Sequence, residues 1–202
     1  KLLPQEDLIY VADSAFTPYG DIKESDIIKR ALLISDFLVN QKKSKAIVIA
    51  CNTATAFAVN VLRDRFNIPI IGMEPAVKPA LKVTLNKLVG VLATSGTSKS
   101  AKFSALLERY SGDVKFFVQP CPGLVNAIER GNFDDAELFE LLEKYLANFK
   151  KNNVDTIVLG CTHFVYIKHL VKKIMGTDIK IVDTSEAVAR QLRVKLDVFN
   201  LR

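Results

Sequence analysis

Asp155-Thr156-Ile157-Val158-Leu159-Gly160-Cys161-Thr162-His163-Phe164 is a β-branched apolar run that ends in a cysteine and small polar residues. A helical pattern begins directly after it. A buried parallel strand hands over to a helix in this way in α/β proteins. The same unit stands about 110 residues earlier, as Lys45-Ala46-Ile47-Val48-Ile49-Ala50-Cys51-Asn52-Thr53-Ala54. Sites in such folds gather at the carboxyl ends of strands, where helix N-termini supply N–H groups. The repeat implies two related halves that could face each other, and two opposed thiols would make an acid/base pair.

Strand and helix patterns alternate along the rest of the chain. Leu8 to Ala12 read as a strand. Ser25 is expected to cap a helix whose apolar positions are Ile27, Ala31, Ile34 and Leu38. Strand 45–50 leads to a helix through Phe57, Val61 and Leu62, and Pro69 to Gly72 supply another short strand. Glu74-Pro75 should open a helix reaching about Lys87, since an acid and a proline suit a helix start. Val89 to Ala93 form the next strand, followed by Thr94-Ser95-Gly96-Thr97 and a helix through Phe103, Leu106 and Leu107. Further strands are expected at 114–118, 154–159 and 179–183. Helices are expected near 122–130, from Asp134 or Asp135 to Lys150, at 164–175 and from Ser185. The order β-α-β-α predicts mainly parallel sheets covered on both faces. Two small lobes with a cleft between them are the preferred arrangement. The boundary falls near 72–79: residues 1–75 form the first lobe, 76–183 the second, and 184–202 cross back to the first.

Of the 202 residues, 49% are hydrophobic and 25% charged, an ordinary composition with ample core. No apolar stretch approaches the roughly 20 residues that span a bilayer. The net charge of +6 comes from Lys and Arg scattered over helix faces, among them Lys23, Lys29, Arg30, Lys168, Lys172 and Lys173. They read as solvated faces, and no basic stripe with interleaved aromatics points to nucleic acid. A small anionic substrate fits the charge equally well. Three cysteines without a C-x-x-C or a zinc-like spacing argue against a disulfide scaffold and a metal site, and a reducing cytoplasm is the simpler setting.

Asn52 and Thr53 are poor core fillers but good donors and caps, and a thiol at a helix N-terminus has its thiolate stabilised. Cys161-Thr162-His163 repeats the arrangement with an imidazole, whereas the other histidine, His169, lies in a Lys-rich surface setting. Asp13-Ser14-Ala15-Phe16-Thr17-Pro18-Tyr19-Gly20 is either a plain turn or a loop whose Tyr19 and Gly20 N–H groups hold a carboxylate. Thr94 and Thr97 are weaker anion-cradling candidates. Glu129 reads as an exposed carboxylate at a helix end, and Cys121 as structural.

Asp13 through Gly20, Cys51-Asn52-Thr53-Ala54, Glu74-Pro75-Ala76-Val77-Lys78-Pro79-Ala80 and Gly160-Cys161-Thr162-His163 occur in the order seen in glutamate racemases, and the chain resembles that family over essentially its whole length. His163 directly after Cys-Thr favours the glutamate enzymes over the aspartate enzymes of the wider superfamily. The resemblance implies two flavodoxin-like lobes related by a pseudo-twofold axis, with the active site in the cleft between them. It implies cofactor-independent interconversion of L- and D-glutamate by a two-cysteine mechanism, with no metal. Cys51 and Cys161 would be the acid/base pair, and His163 would assist Cys161 together with Glu129. Tyr19, Gly20, Asn52, Thr53 and Thr162 would hold substrate. Product D-glutamate would supply peptidoglycan in a bacterial cytoplasm, with no membrane or nucleic-acid partner, and a homodimer is left open.

The family pattern starts with a strand leading into an Asp-Ser-Gly loop that supplies a helper for the first cysteine. That loop is missing here, and Lys1-Leu2-Leu3-Pro4 brings neither an initiator Met nor a signal-peptide core. The expectation is therefore a portion of a longer protein whose first lobe lacks a central strand. The rival expectations are an impaired homologue, a racemase or decarboxylase acting on aspartate or another acid, a non-catalytic amino-acid binder, and a redox cysteine pair.

Overall fold

A computed structural model describes residues 2–112 and 114–201. In chain order the regular elements are α1 (Glu24–Asp36), β1 (Ile47–Val48), α2 (Asn52–Arg65), β2 (Ile70–Ile71), α3 (Val77–Ala80) and β3 (Leu88–Ala93). They continue with α4 (Ser95–Lys99), α5 (Ala101–Glu108), β4 (Lys115–Pro120), α6 (Leu124–Glu129), α7 (Ala136–Lys151), β5 (Thr156–Gly160), α8 (Lys168–Met175), β6 (Lys180–Val182) and α9 (Ser185–Val198). Short 3-10 turns occupy Ser14–Phe16, Tyr19–Asp21 and Thr162–Ile167, and α1 runs on into a π-turn at Phe37–Gln41. The chain divides into two compact units, Lys1–Met73 with Thr184–Arg202, and Glu74–Asp183.

In the first unit β1 and β2 pair in parallel, Ile47 opposite Ile70 and Val48 opposite Ile71. Ile47, Ile49 and Ile70 form a core with Ile27 of α1 and Val59 and Leu62 of α2. The helix α9 packs on β2. The Lys45 ammonium donates to the Leu201 carbonyl at 2.6 Å and pairs with Glu6 at 2.7 Å.

Two expectations fail in this unit. Residues 8–12 form no strand, because among the described residues no strand pairs with them; Leu8 and Tyr10 are 83% and 84% exposed. Ser25 is not a cap: α1 starts at Glu24, and Lys23 occupies the cap position without a side-chain bond. Glu24 and Asp26 in the first turn supply the negative charge that suits a helix N-terminus.

The second unit holds a parallel sheet in the order β4-β3-β5-β6. Val91 stands opposite Val118 on one side and Val158 on the other. Alternation sorts the side chains by face. Val89, Val91 and Val158 pack with Ala76, Ala80 and Phe103. Leu92, Ile157 and Leu159 pack with Leu142, Leu146 and Phe149 of α7 and Val171 of α8. At Gly90 the helix comes so close that an added Cβ would lie 2.6 Å from the Phe149 ring. Both faces are therefore covered, as a buried parallel sheet requires.

The helix expected from Glu74 to Lys87 shrinks to Val77–Ala80. Its continuation is diverted by Asp155, whose carboxylate accepts from the Thr84 hydroxyl at 2.7 Å, the Leu85 N–H at 2.6 Å and the Asn86 N–H at 2.9 Å. No helix among the described residues is long and apolar enough to cross a membrane.

Candidate active site

The chain leaves β3 toward β4 on one side of the sheet and returns to β5 on the other side of β3. The carboxyl ends of β3 and β5 are thus a topological switch point, where open α/β sheets bind ligands. Thr94 follows β3 and Cys161 follows β5, and Ala93 pairs with Gly160 directly before them.

Cys161 is buried and is the N-cap residue of the turn Thr162–Ile167. Its sulfur lies 3.8 Å from Nδ1 of His163, and Nε2 of His163 lies 2.5 Å from Oε1 of Glu129. Glu129 is the last residue of α6, so a helix end and a strand end supply one Cys–His–Glu chain. Glu129 is therefore more than the plain exposed carboxylate its sequence position suggests. Thr94 caps α4 by accepting from the Thr97 N–H at 3.2 Å, and both threonines are buried. Thr162 is half-buried beside Cys161, while His169 is exposed and meets Phe133 edge-on at 6.2 Å. Cys121 packs in the core, donates to the Gln119 carbonyl at 3.3 Å, and has its thiol pushed up by burial.

The first unit builds a second cysteine site on the same plan. Cys51 is the N-cap of α2 and its sulfur accepts from the Ala54 N–H at 3.4 Å. Burial pushes the Cys51 thiol up, while the Ala54 and Thr53 N–H groups and the Thr53 hydroxyl pull it down less strongly. Asn52 and Thr53 are buried in the first turn of α2. The Oδ1 atom of Asn52 is buried without a hydrogen-bond partner among the described residues. A buried orphan acceptor costs about 1–3 kcal/mol, so the site retains an unmet need for a donor.

Tyr19 and Gly20 lie in the turn Tyr19–Asp21, which packs against α2, and Gly20 is buried. The Tyr19 hydroxyl donates to Asp13 Oδ2 at 2.5 Å. Arg30 of α1 donates from Nε to the same oxygen at 2.9 Å and from Nη2 to Oδ1 at 2.5 Å. Arg30 also lies 3.9 Å over the Phe16 ring. The sequence places Arg30 on a solvated face, but its side chain is only 25% exposed and Asp13 only 13%.

Cys51 and Cys161 are each the N-cap residue of the helical turn that follows a parallel strand. The matching family model is Asp/Glu/Hydantoin racemase, over residues 1–192.

The chain belongs to that racemase family.

It is 50% identical to the glutamate racemase of Pseudomonas paraeruginosa over 191 residues, covering 94% of this chain and 72% of that enzyme. The structure of a glutamate racemase isoform from Bacillus anthracis matches with TM-score 0.87 and 31% identity, covering 98% of this chain and 75% of that one. The Escherichia coli glutamate racemase, solved with L-glutamate and the activator UDP-MurNAc-Ala, matches with TM-score 0.88 and 30% identity over 97% of this chain and 74% of its own. These relatives are isomerases, and the α/β fold with two parallel sheets is theirs as well. Among the described residues no cluster of three or more His, Cys, Asp or Glu side chains could hold a metal ion.

Sequence reading missed Asp13 and Arg30 as a pair. Their contact joins positions on different elements, and the only sequence signal was an arginine on the face of α1 that also carries the buried Ile27.

Proposed function

We propose that the protein interconverts L- and D-glutamate without a cofactor, using Cys51 and Cys161 as the acid/base pair. The observation that carries this reading is the repetition: each cysteine is the N-cap residue of the helical turn that follows a parallel strand. One thiolate takes the α-proton, breaking the C–H bond and becoming a thiol. The other thiol gives its proton to the opposite face of the carbanion and becomes the thiolate. The configuration inverts, and no net proton is gained or lost.

The α-proton of an amino acid is weakly acidic, so the carbanion needs preorganised donors and thiols with suitable proton affinity. Glu129 accepts from Nε2–H of His163, which leaves Nδ1 toward Cys161 as the atom that shares its proton. Asn52 Oδ1 offers its unmet acceptor to the substrate ammonium. Tyr19, Gly20, Thr53 and Thr162 hold the carboxylates, and Thr94 and Thr97 at the switch point add to them. The glutamate substrate is supported by the relatives, and D-glutamate would feed peptidoglycan synthesis in the cytoplasm.

The test is incubation of the full-length protein with L- or D-glutamate in deuterated water. Either enantiomer should gain α-deuterium as its optical rotation decays. Absence of exchange over several pH values would falsify the reading, and preference for aspartate would replace its substrate.

A further inference from the structure

The Asp13 carboxylate takes three hydrogen bonds from two residues, two from Arg30 and one from Tyr19. A guanidinium fork on a carboxylate fixes both in one plane, because two parallel bonds allow neither group to rotate. The face of that guanidinium is covered by Phe16 at 3.9 Å, which removes its remaining freedom. The Asp13 carbonyl accepts from the Phe16 N–H at 3.0 Å and the Thr17 hydroxyl at 3.3 Å, so the turn is tied to Asp13 through both backbone and side chain.

We propose that Arg30 is a positioning residue for substrate binding, locking Asp13 and through it the Tyr19-Gly20 backbone against α2. The proposal rests on the glutamate reading above and deepens it, since that reading assigns a substrate carboxylate to Tyr19 and Gly20. Two effects follow from the geometry. The clamp fixes the direction of the N–H groups in a turn too short to hold itself. It also neutralises Asp13, which would otherwise place an unpaired carboxylate on the loop that receives an anionic substrate.

The states of Asp13 and Tyr19 agree with this role. Arg30's hydrogen bond holds the Asp13 carboxyl below its ordinary range against the opposing effect of burial, so it stays ionised and paired. Burial and the bond to Asp13 push the Tyr19 hydroxyl up, so it remains a donor.

The experiment compares steady-state racemisation of glutamate by the full-length wild type, Arg30→Gln, Arg30→Lys and the double variant Asp13→Asn/Arg30→Gln. Loss of a group that serves binding alone raises KM and spares kcat. Arg30→Gln should therefore raise KM about tenfold with kcat within about threefold of wild type. Arg30→Lys keeps the charge without the fork, so its KM should fall between the two. The double variant removes the bare carboxylate but does not restore the clamp, so its KM should fall between those of Arg30→Gln and wild type. An active wild type with unchanged KM in Arg30→Gln overturns the proposal, as does a fall in kcat at constant KM. A double variant no better than Arg30→Gln overturns its charge component. A wild type that neither racemises nor binds glutamate by calorimetry overturns the functional reading itself, and the positioning role falls with it.

Discussion

Nε2 of His163 lies 2.5 Å from Oε1 of Glu129, while Nδ1 of the same ring lies 3.8 Å from the Cys161 sulfur. One imidazole therefore links a helix-end carboxylate to a strand-end thiol. Removing the ring should lower kcat by about 10²-fold, the lower end of what a positioned acid/base partner contributes. Glu129→Gln keeps the shape but weakens the orientation, so its loss should be smaller and confined to kcat. Steady-state rates in both directions for His163→Ala and Glu129→Gln check this.

Cys51 has its thiol raised by burial. At neutral pH it therefore rests in the acid form. In the ligand-free protein, alkylation of Cys51 by iodoacetamide should accelerate only above the free-thiol value of about 8.5. The stability consequence has a definite sign. The folded state holds the proton more tightly than the unfolded chain, so the contribution is complete below the unfolded pKa and is lost as pH rises through the folded one. Mass-resolved labelling across pH measures the first effect, and alkaline melting of Cys51→Ala against wild type measures the second.

Asp155 carries an acid-side prediction. Burial raises its carboxyl, but the bonds from Thr84, Asn86 and Leu85 outweigh it and leave the group below its usual range. Its contribution is present above the unfolded pKa of about 3.9 and disappears as pH falls through the lower folded value. Asp155→Ala strands three donors of the 84–86 turn and should cost about 1–3 kcal/mol at neutral pH. The variant should also lose less stability than wild type between neutral and strongly acidic pH, as read by denaturant titration.

Gly160 stands directly before Cys161 with no room for a side chain. A Cβ there would lie 2.7 Å from the Leu92 carbonyl oxygen, a backbone atom held in the sheet. Gly160→Ala should therefore force the β3–β5 contact apart at the thiol end, costing about 1–3 kcal/mol as overpacking does. Thermal melting reads the stability loss. Activity should fall at temperatures where the variant is still folded, because the displaced atom carries Cys161.

The second unit was the more legible of the two in the sequence. Strands at Leu88–Ala93 and Thr156–Gly160 are continuous apolar runs because helices cover both faces, and such runs announce themselves locally. Residues 8–12 carry a comparable pattern, yet a strand exists only where a neighbour pairs with it, and composition does not record the neighbour. The helix expected after Glu74 stops short for a related reason: Asp155, some 70 positions away, captures the 84–86 backbone. The cysteines and their polar neighbours were visible because the unit repeats. Arg30 was not, because a lone arginine on a helix looks the same whether it faces water or Asp13.

Replacement of each sulfur tests the proposed proton transfer by both thiols most directly. Cys51→Ser and Cys161→Ser, prepared in the full-length protein, should each lose racemisation in both directions while their melting temperatures stay close to wild type. Optical rotation and α-deuterium incorporation from L- and D-glutamate in deuterated water supply the readout. Wild-type racemisation rates in a folded Cys161→Ser variant would contradict the account.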